Sequence, residues 1–173
     1  MLLDNSQAIT QADSRLRVLV LCTGNSARSI MAEAILNTNG ANLFQAYSAG
    51  SRPTGKVNPM ALEQISQLSL PEEMEIRSKN WQEFSQSEAP KLDVVLTVCD
   101  NAAAETCPTF AGDYEHIHWG YPDPAGCSDN PDEERQAFLV CFNNIKSRVD
   151  SLVASQSSVG TKISICKAMR ELS

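Results

Sequence analysis

The segment LRVLVLC at positions 16–22 constrains the fold more than any other stretch of the chain. It is a continuous apolar run of strand length, which fits a β-strand buried on both faces. The chain leaves it through TGNSARS, which is small and polar, and enters a helical pattern with Met31, Ala34 and Ile35 on one side and Glu33 and Asn37 elsewhere around the helix. Asn39-Gly40 stops that helix. A doubly buried strand followed by a loop and a helix is the opening of a parallel sheet, because parallel strands need a crossover between them.

The rest of the chain repeats the alternation. FQAYSAG (44–50) reads as a strand ending in Gly, and residues 52–57 as a loop. Asn58-Pro59 supplies a cap and a first helical residue, with Leu62, Ile65 and Leu68 or Ser69 as the stripe. Residues 70–80 are irregular, and 81–89 reads as a short helix ended by Pro90. KLDVVLTVC (91–99) is a second buried strand, 100–113 a loop, YEHIHW (114–119) a short strand and 120–132 turn chemistry throughout. Asn130-Pro131, with Glu133 and Glu134 in the first turn, opens a helix whose apolar face is Phe138, Cys141, Phe142, Ile145, Val149 and Leu152. The pattern predicts a single α/β domain over 16–154, a parallel sheet covered by helices on both faces. Residues 1–15 are expected to form a flexible N-terminal extension. Residues 155–173 are expected to be a C-terminal tail with a little helix over 161–172.

Charge narrows the partners. Fourteen basic against twenty-one acidic residues give a net charge of -7. Such a chain is poorly suited to nucleic acid or an anionic membrane, so an anionic ligand must be drawn by a local positive site. No apolar run approaches the roughly 20 residues needed to span a bilayer, and the N-terminal segment lacks the apolar stretch of a signal peptide. The expected setting is cytoplasmic. The six cysteines, Cys22, Cys99, Cys107, Cys127, Cys141 and Cys166, are then expected to be reduced thiols. None forms a C-x-x-C pair, and His116 and His118 have no cysteine pair near them, which argues against structural zinc.

The loop Cys22-Thr23-Gly24-Asn25-Ser26-Ala27-Arg28-Ser29 carries the chemistry. A short loop entering a helix can aim several N–H groups into one concavity, and the helix end adds positive charge. Gly24 and Asn25 tolerate the positive φ that such a nest needs. Arg28 offers a planar fork for two oxygens of a tetrahedral anion. The same field favours a thiolate at Cys22, and the Ser29 hydroxyl is expected to donate to its sulfur. The bland alternative is a buried strand-end thiol and a solvated arginine.

This loop, in its strand-loop-helix setting, resembles that of the low-molecular-weight protein tyrosine phosphatase superfamily. Its sequence CTGNSARS looks more like the arsenate reductase branch, because the phosphatases usually carry a bulkier apolar residue and a second cysteine in the loop, followed by Ser-Pro. The resemblance runs from about Leu16 to Leu152. It implies a four-stranded parallel sheet in flavodoxin-like order, flanked by helices. Asp123, in Tyr121-Pro122-Asp123-Pro124, resembles the family's general-acid loop. VLTVCDNAAAETCP resembles the resolving-cysteine segment of thioredoxin-coupled arsenate reductases, with Cys99 at a strand end and Cys107 in the following loop.

The resemblance implies reduction of arsenate to arsenite, for arsenic detoxification, through a Cys22 adduct and a Cys22/Cys99/Cys107 disulfide relay. A relay requires residues 99–108 to rearrange, since a disulfide needs Cα atoms within about 7 Å. The implied reductant is thioredoxin, with glutathione and glutaredoxin as the other open choice. Some relatives bind potassium. Asn25, Glu33 and Ser48 match positions resembling that site, with Asn80 where an Asp is usual, and potassium stays open. The alternative function is a phosphatase that hydrolyses phosphate monoesters through a phosphocysteine, and reductase activity leaves room for residual phosphatase activity. A third reading is a non-enzymatic redox sensor or anion-binding module that kept the loop. Cys141 is expected in the core, and Cys127 and Cys166 have no assigned role.

Overall fold

The computed structural model describes residues 13–156 and 160–173. The expected extension at 1–12 and the Ser-rich stretch at 157–159 lie outside the described residues. Four strands, β1 (Leu16–Leu21), β2 (Phe44–Ala49), β3 (Val94–Thr97) and β4 (Glu115–His118), form one sheet in the order β2-β1-β3-β4. Every pairing is parallel, with Leu21 beside Ala49 and Thr97, so the carboxyl ends of three strands lie level. Helices α1 (Arg28–Thr38), α2 (Pro59–Ile65), α3 (Asp100–Ala104), α4 (Pro131–Ser155) and α5 (Lys162–Glu171) make the connections and the covering layers.

Strand alternation divides the core in two. Val18, Val20, Val94, Leu96 and Ile117 face the larger cluster, which includes residues of α1, α2, α4 and α5. Leu19, Leu21 and Val95 face a smaller cluster closed by Phe84, Leu92 and Phe110. Both faces are therefore covered, which is why β1 is apolar at nearly every position. Helix α1 is buried from Ser29 to Leu36, because it lies between the sheet and the other helices. Helix α4 buries Phe138, Cys141, Phe142, Ile145, Val149 and Leu152, the face expected from its periodicity. Asn58 and Asn130 cap their helices, accepting from the N–H groups of Met60 and Asp132.

Four local expectations change. Residues 81–89 form only a 3-10 turn at Trp81–Ser85, capped by Asn80. The strands are shorter than their apolar runs. Residues 100–113 are not all loop: α3 starts there, with Cys99 as its cap. The C-terminal tail is docked over α5, which buries Ile165, Cys166 and Met169. Trp119 donates its indole N–H to the Met169 carbonyl at 3.0 Å, and Arg170 and Lys162 pair with Glu115 and Asp93. The helix thus packs beside β4, one of the sheet's two edge strands, and helps protect it. Among the described residues no helix is long and apolar enough to cross a membrane.

Candidate active site

The Cys22 loop joins the carboxyl end of β1 to the N-terminus of α1, where open parallel sheets place their ligands. Its carbonyls are turned to the outer layer: Thr23, Gly24 and Ser26 accept from the N–H groups of Arg52, Thr54 and Asn58. Among the described residues, the N–H groups of residues 24–27 have no backbone or side-chain acceptor. Helix α1 also begins without a side-chain cap, which leaves its first N–H groups for a ligand. The concavity has a volume of about 250 Å³ and is lined by the loop together with Thr54, Cys99, Asn101, Asp123 and Ala125.

Asn25 sets the loop's turn. It is fully buried and has φ of +41°, so the left-handed residue is Asn25 and not Gly24. Its side-chain amide donates to Ser29 Oγ at 2.9 Å and Ser48 Oγ at 3.0 Å, and its carbonyl oxygen accepts from the Lys79 N–H at 2.7 Å. Ser29 therefore holds Asn25, and no Ser29 bond to the Cys22 sulfur forms in this state. Gly50 closes the base: a Cβ there would sit 2.4 Å from the Thr23 carbonyl oxygen.

Arg28 is fixed at its end by two bonds. One Nη donates to the Tyr121 carbonyl and the other to Asp123 Oδ2, both at 2.9 Å. Its Nε is buried with no partner among the described residues, a cost of about 1–3 kcal/mol for an isolated donor. That orphaned donor beside the loop N–H groups is what an anion would satisfy. Asp123 is half exposed and accepts from the Ala125 N–H, so its turn is held.

Cys22 and Cys99 line this one cavity. Cys22 is 7% exposed and Cys99 3%. The neighbouring Cys22 thiol pulls Cys99 down to about 5, helped by the Ala102 and Thr23 N–H groups and by Arg28. Cys22 is pushed up by that neighbouring sulfur and by burial, although Arg28 pulls it the other way. Each of the two sulfurs therefore governs the other's ionisation, and Arg28 favours the thiolate at both.

Cys107 is not with them. It is half-buried, packs beside the smaller core cluster, and lines a separate cavity of about 390 Å³ with His116 and His118. Burial and the charge of Glu105 raise its pKa. Glu105 also accepts from the Thr23 hydroxyl at 2.9 Å, tying the segment after α3 to the Cys22 loop. Sequence reasoning missed Glu105, Gly50, the Tyr121 carbonyl and Lys79. Each acts through a tertiary neighbour, and only the Gly50 strand end gave any local signal.

Potassium does not fit. Asn25, Glu33 and Ser48 converge as expected, but the Lys79 ammonium, 6% exposed, already stands 3.5 Å from Glu33 Oε2. Asn80 is turned away, capping the 3-10 turn. A second cation against the same carboxylate would meet the first.

Such an arrangement belongs to enzymes that work through a thiol on tetrahedral anions. The chain is a member of the low molecular weight phosphotyrosine protein phosphatase family, whose pattern matches residues 17–162. An arsenate reductase of Halalkalibacterium halodurans is 31% identical over 143 residues, which is 83% of this chain and 96% of that protein. The structure resembles an arsenate reductase of Archaeoglobus fulgidus, with a TM-score of 0.55 and 26% identity over 80% of this chain and 99% of the other. It resembles a phosphotyrosine phosphatase of Vibrio cholerae equally, with a TM-score of 0.58 and 26% identity over 81% and 95%.

Proposed function

We propose that the protein reduces arsenate to arsenite, with Cys22 as the nucleophile and Cys99 and Cys107 as successive resolving thiols. The observation that carries this reading is that Cys99 lines the same cavity as Cys22 and the anion loop. A phosphatase has no use for a second thiol there, whereas a reductase needs one to take the adduct apart. The 31% identity to a protein named arsenate reductase supports the same reading.

Arsenate takes the loop N–H groups and the Arg28 fork, displacing Asp123 from the arginine. Cys22 passes its proton to Cys99, and the Cys22 thiolate attacks arsenic. Asp123 donates a proton to the departing oxygen, which leaves as water. Cys99, deprotonated again, attacks Cys22 Sγ. The S–S bond forms, the S–As pair of electrons stays with arsenic, As(V) becomes As(III), and arsenite leaves. The Cys107 thiolate then attacks Cys99 Sγ and frees Cys22 as a thiolate. This step requires the Glu105–Thr23 tie to break and Cys107 to leave its own cavity. An external dithiol, thioredoxin or a glutaredoxin with glutathione, supplies the two electrons that reopen the Cys99–Cys107 disulfide. A cytoplasmic setting would keep that reductant at hand.

A coupled NADPH assay tests this, offering arsenate with thioredoxin or with glutathione and glutaredoxin. Arsenate-dependent oxidation of NADPH with either is the expected result. Rapid hydrolysis of aryl phosphate, with no arsenate turnover on any thiol donor, would replace this reading with the phosphatase one.

A further inference from the structure

Lys79 touches the Cys22 loop's support at three points. Its N–H donates to Asn25 Oδ1 at 2.7 Å, and its carbonyl accepts from the Gly50 N–H at 2.9 Å. Its ammonium stands 3.5 Å from Glu33 Oε2 and donates to the Arg77 carbonyl at 3.0 Å. Ser48 links the two ends, donating to the same Glu33 oxygen and accepting from the Asn25 amide. A buried ion pair adds little net stability, since desolvation opposes the attraction, and its best use is to fix one arrangement over others. The arrangement fixed here is the side chain of Asn25, the left-handed residue of the loop.

We propose that the Lys79 ammonium is a built-in cation that, through Glu33 and Ser48, holds Asn25 in the rotamer that keeps the oxyanion loop open. Lys79 is a positioning residue and does not touch the anion. The protein therefore needs no added monovalent cation. This rests on the oxyanion reading of the loop, but not on the fate of the arsenic.

The test uses the full chain and inorganic phosphate as probe, its affinity read by protection of Cys22 from iodoacetamide. Arsenate turnover is measured in parallel, in sodium and in potassium chloride at equal ionic strength. The wild type is expected to respond less than twofold to the change of cation. Lys79→Met should weaken phosphate roughly tenfold to a hundredfold, the range typical of lost outer-shell support. Lys79→Ala leaves a space, so potassium or methylammonium should restore much of its affinity and none of that of Lys79→Met. Ser48→Ala retains the ion pair and should also weaken phosphate several-fold, with Tm lowered by only several degrees, which keeps the test decisive if the Lys79 variants do not fold. Several-fold stimulation of the wild type by potassium overturns the proposal. So does unchanged phosphate affinity in Ser48→Ala, or a folded Lys79→Ala protein that neither cation rescues. If phosphate binds as expected but no thiol donor supports arsenate turnover, the reductase reading fails and this one stands. A wild type that binds no phosphate sinks both.

Discussion

The Cys22 loop and the segment from Cys99 to Cys107 supply the thiols, and they are built in opposite ways. The loop is anchored on every side: three carbonyls are held by the 52–58 segment, Asn25 makes three side-chain bonds, and Gly50 is pressed against its base. The 99–107 segment has a five-residue helix, side-chain ties of Glu105 to Thr23 and of Asp100 to His118, and a terminal thiol in a different cavity. Rigidity suits a group that must meet a transition state in one geometry. Loose attachment suits a group that has to travel. The contrast explains how one small fold could hold an anion still while passing a disulfide outward.

Breaking each side in turn tests the contrast. Cys22→Ser should lower both arsenate reduction and aryl phosphate hydrolysis by roughly a thousandfold or more, the loss typical of a missing nucleophile. Cys107→Ser should abolish repeated turnover with thioredoxin, yet one equivalent of arsenite should form and a Cys22–Cys99 disulfide should be found by mass mapping. Survival of steady turnover in that variant would remove Cys107 from the relay.

Alkylation against pH sharpens the difference. The Cys22–Cys99 pair should become reactive with a midpoint near 5, because Cys99 is lowered to about that value. Cys107, raised above the ordinary thiol value of 9.0, should stay slow at neutral pH. Peptide mapping after iodoacetamide treatment at a series of pH values separates the three sites, and equal rates at pH 7 would refute the assignment. The smallest effect is expected from Glu105→Gln. Losing its charge should lower the Cys107 pKa, and weakening the tie to Thr23 costs about 0.5–1.5 kcal/mol. Hydrogen exchange over 100–109 should rise while the Cys22 loop is unchanged.

Much of this protein was legible in its sequence, for identifiable reasons. The apolar runs at 16–22 and 91–99 give doubly buried strands because only covered parallel sheets tolerate them. Asn58-Pro59 and Asn130-Pro131 give helix starts because their chemistry is local. The same locality made Cys22 and Arg28 readable, since strand, loop and helix follow one another in the chain. Helix α3 escaped notice because a five-residue helix has too little period to read, and its cap is a cysteine rather than a usual capping residue.

What the sequence by itself determined is the parallel sheet, the position of the Cys22 loop at the end of β1, and the residues proposed to bind and attack. Tertiary structure alone decided how those residues are grouped. It put Cys99 in one cavity with Cys22 and Cys107 in another, because that depends on how β3 and α3 pack beside β1. It also turned a lysine in an irregular stretch into the cation beneath the loop. Burial and neighbouring charge come from residues far away in the chain, and no local pattern records them.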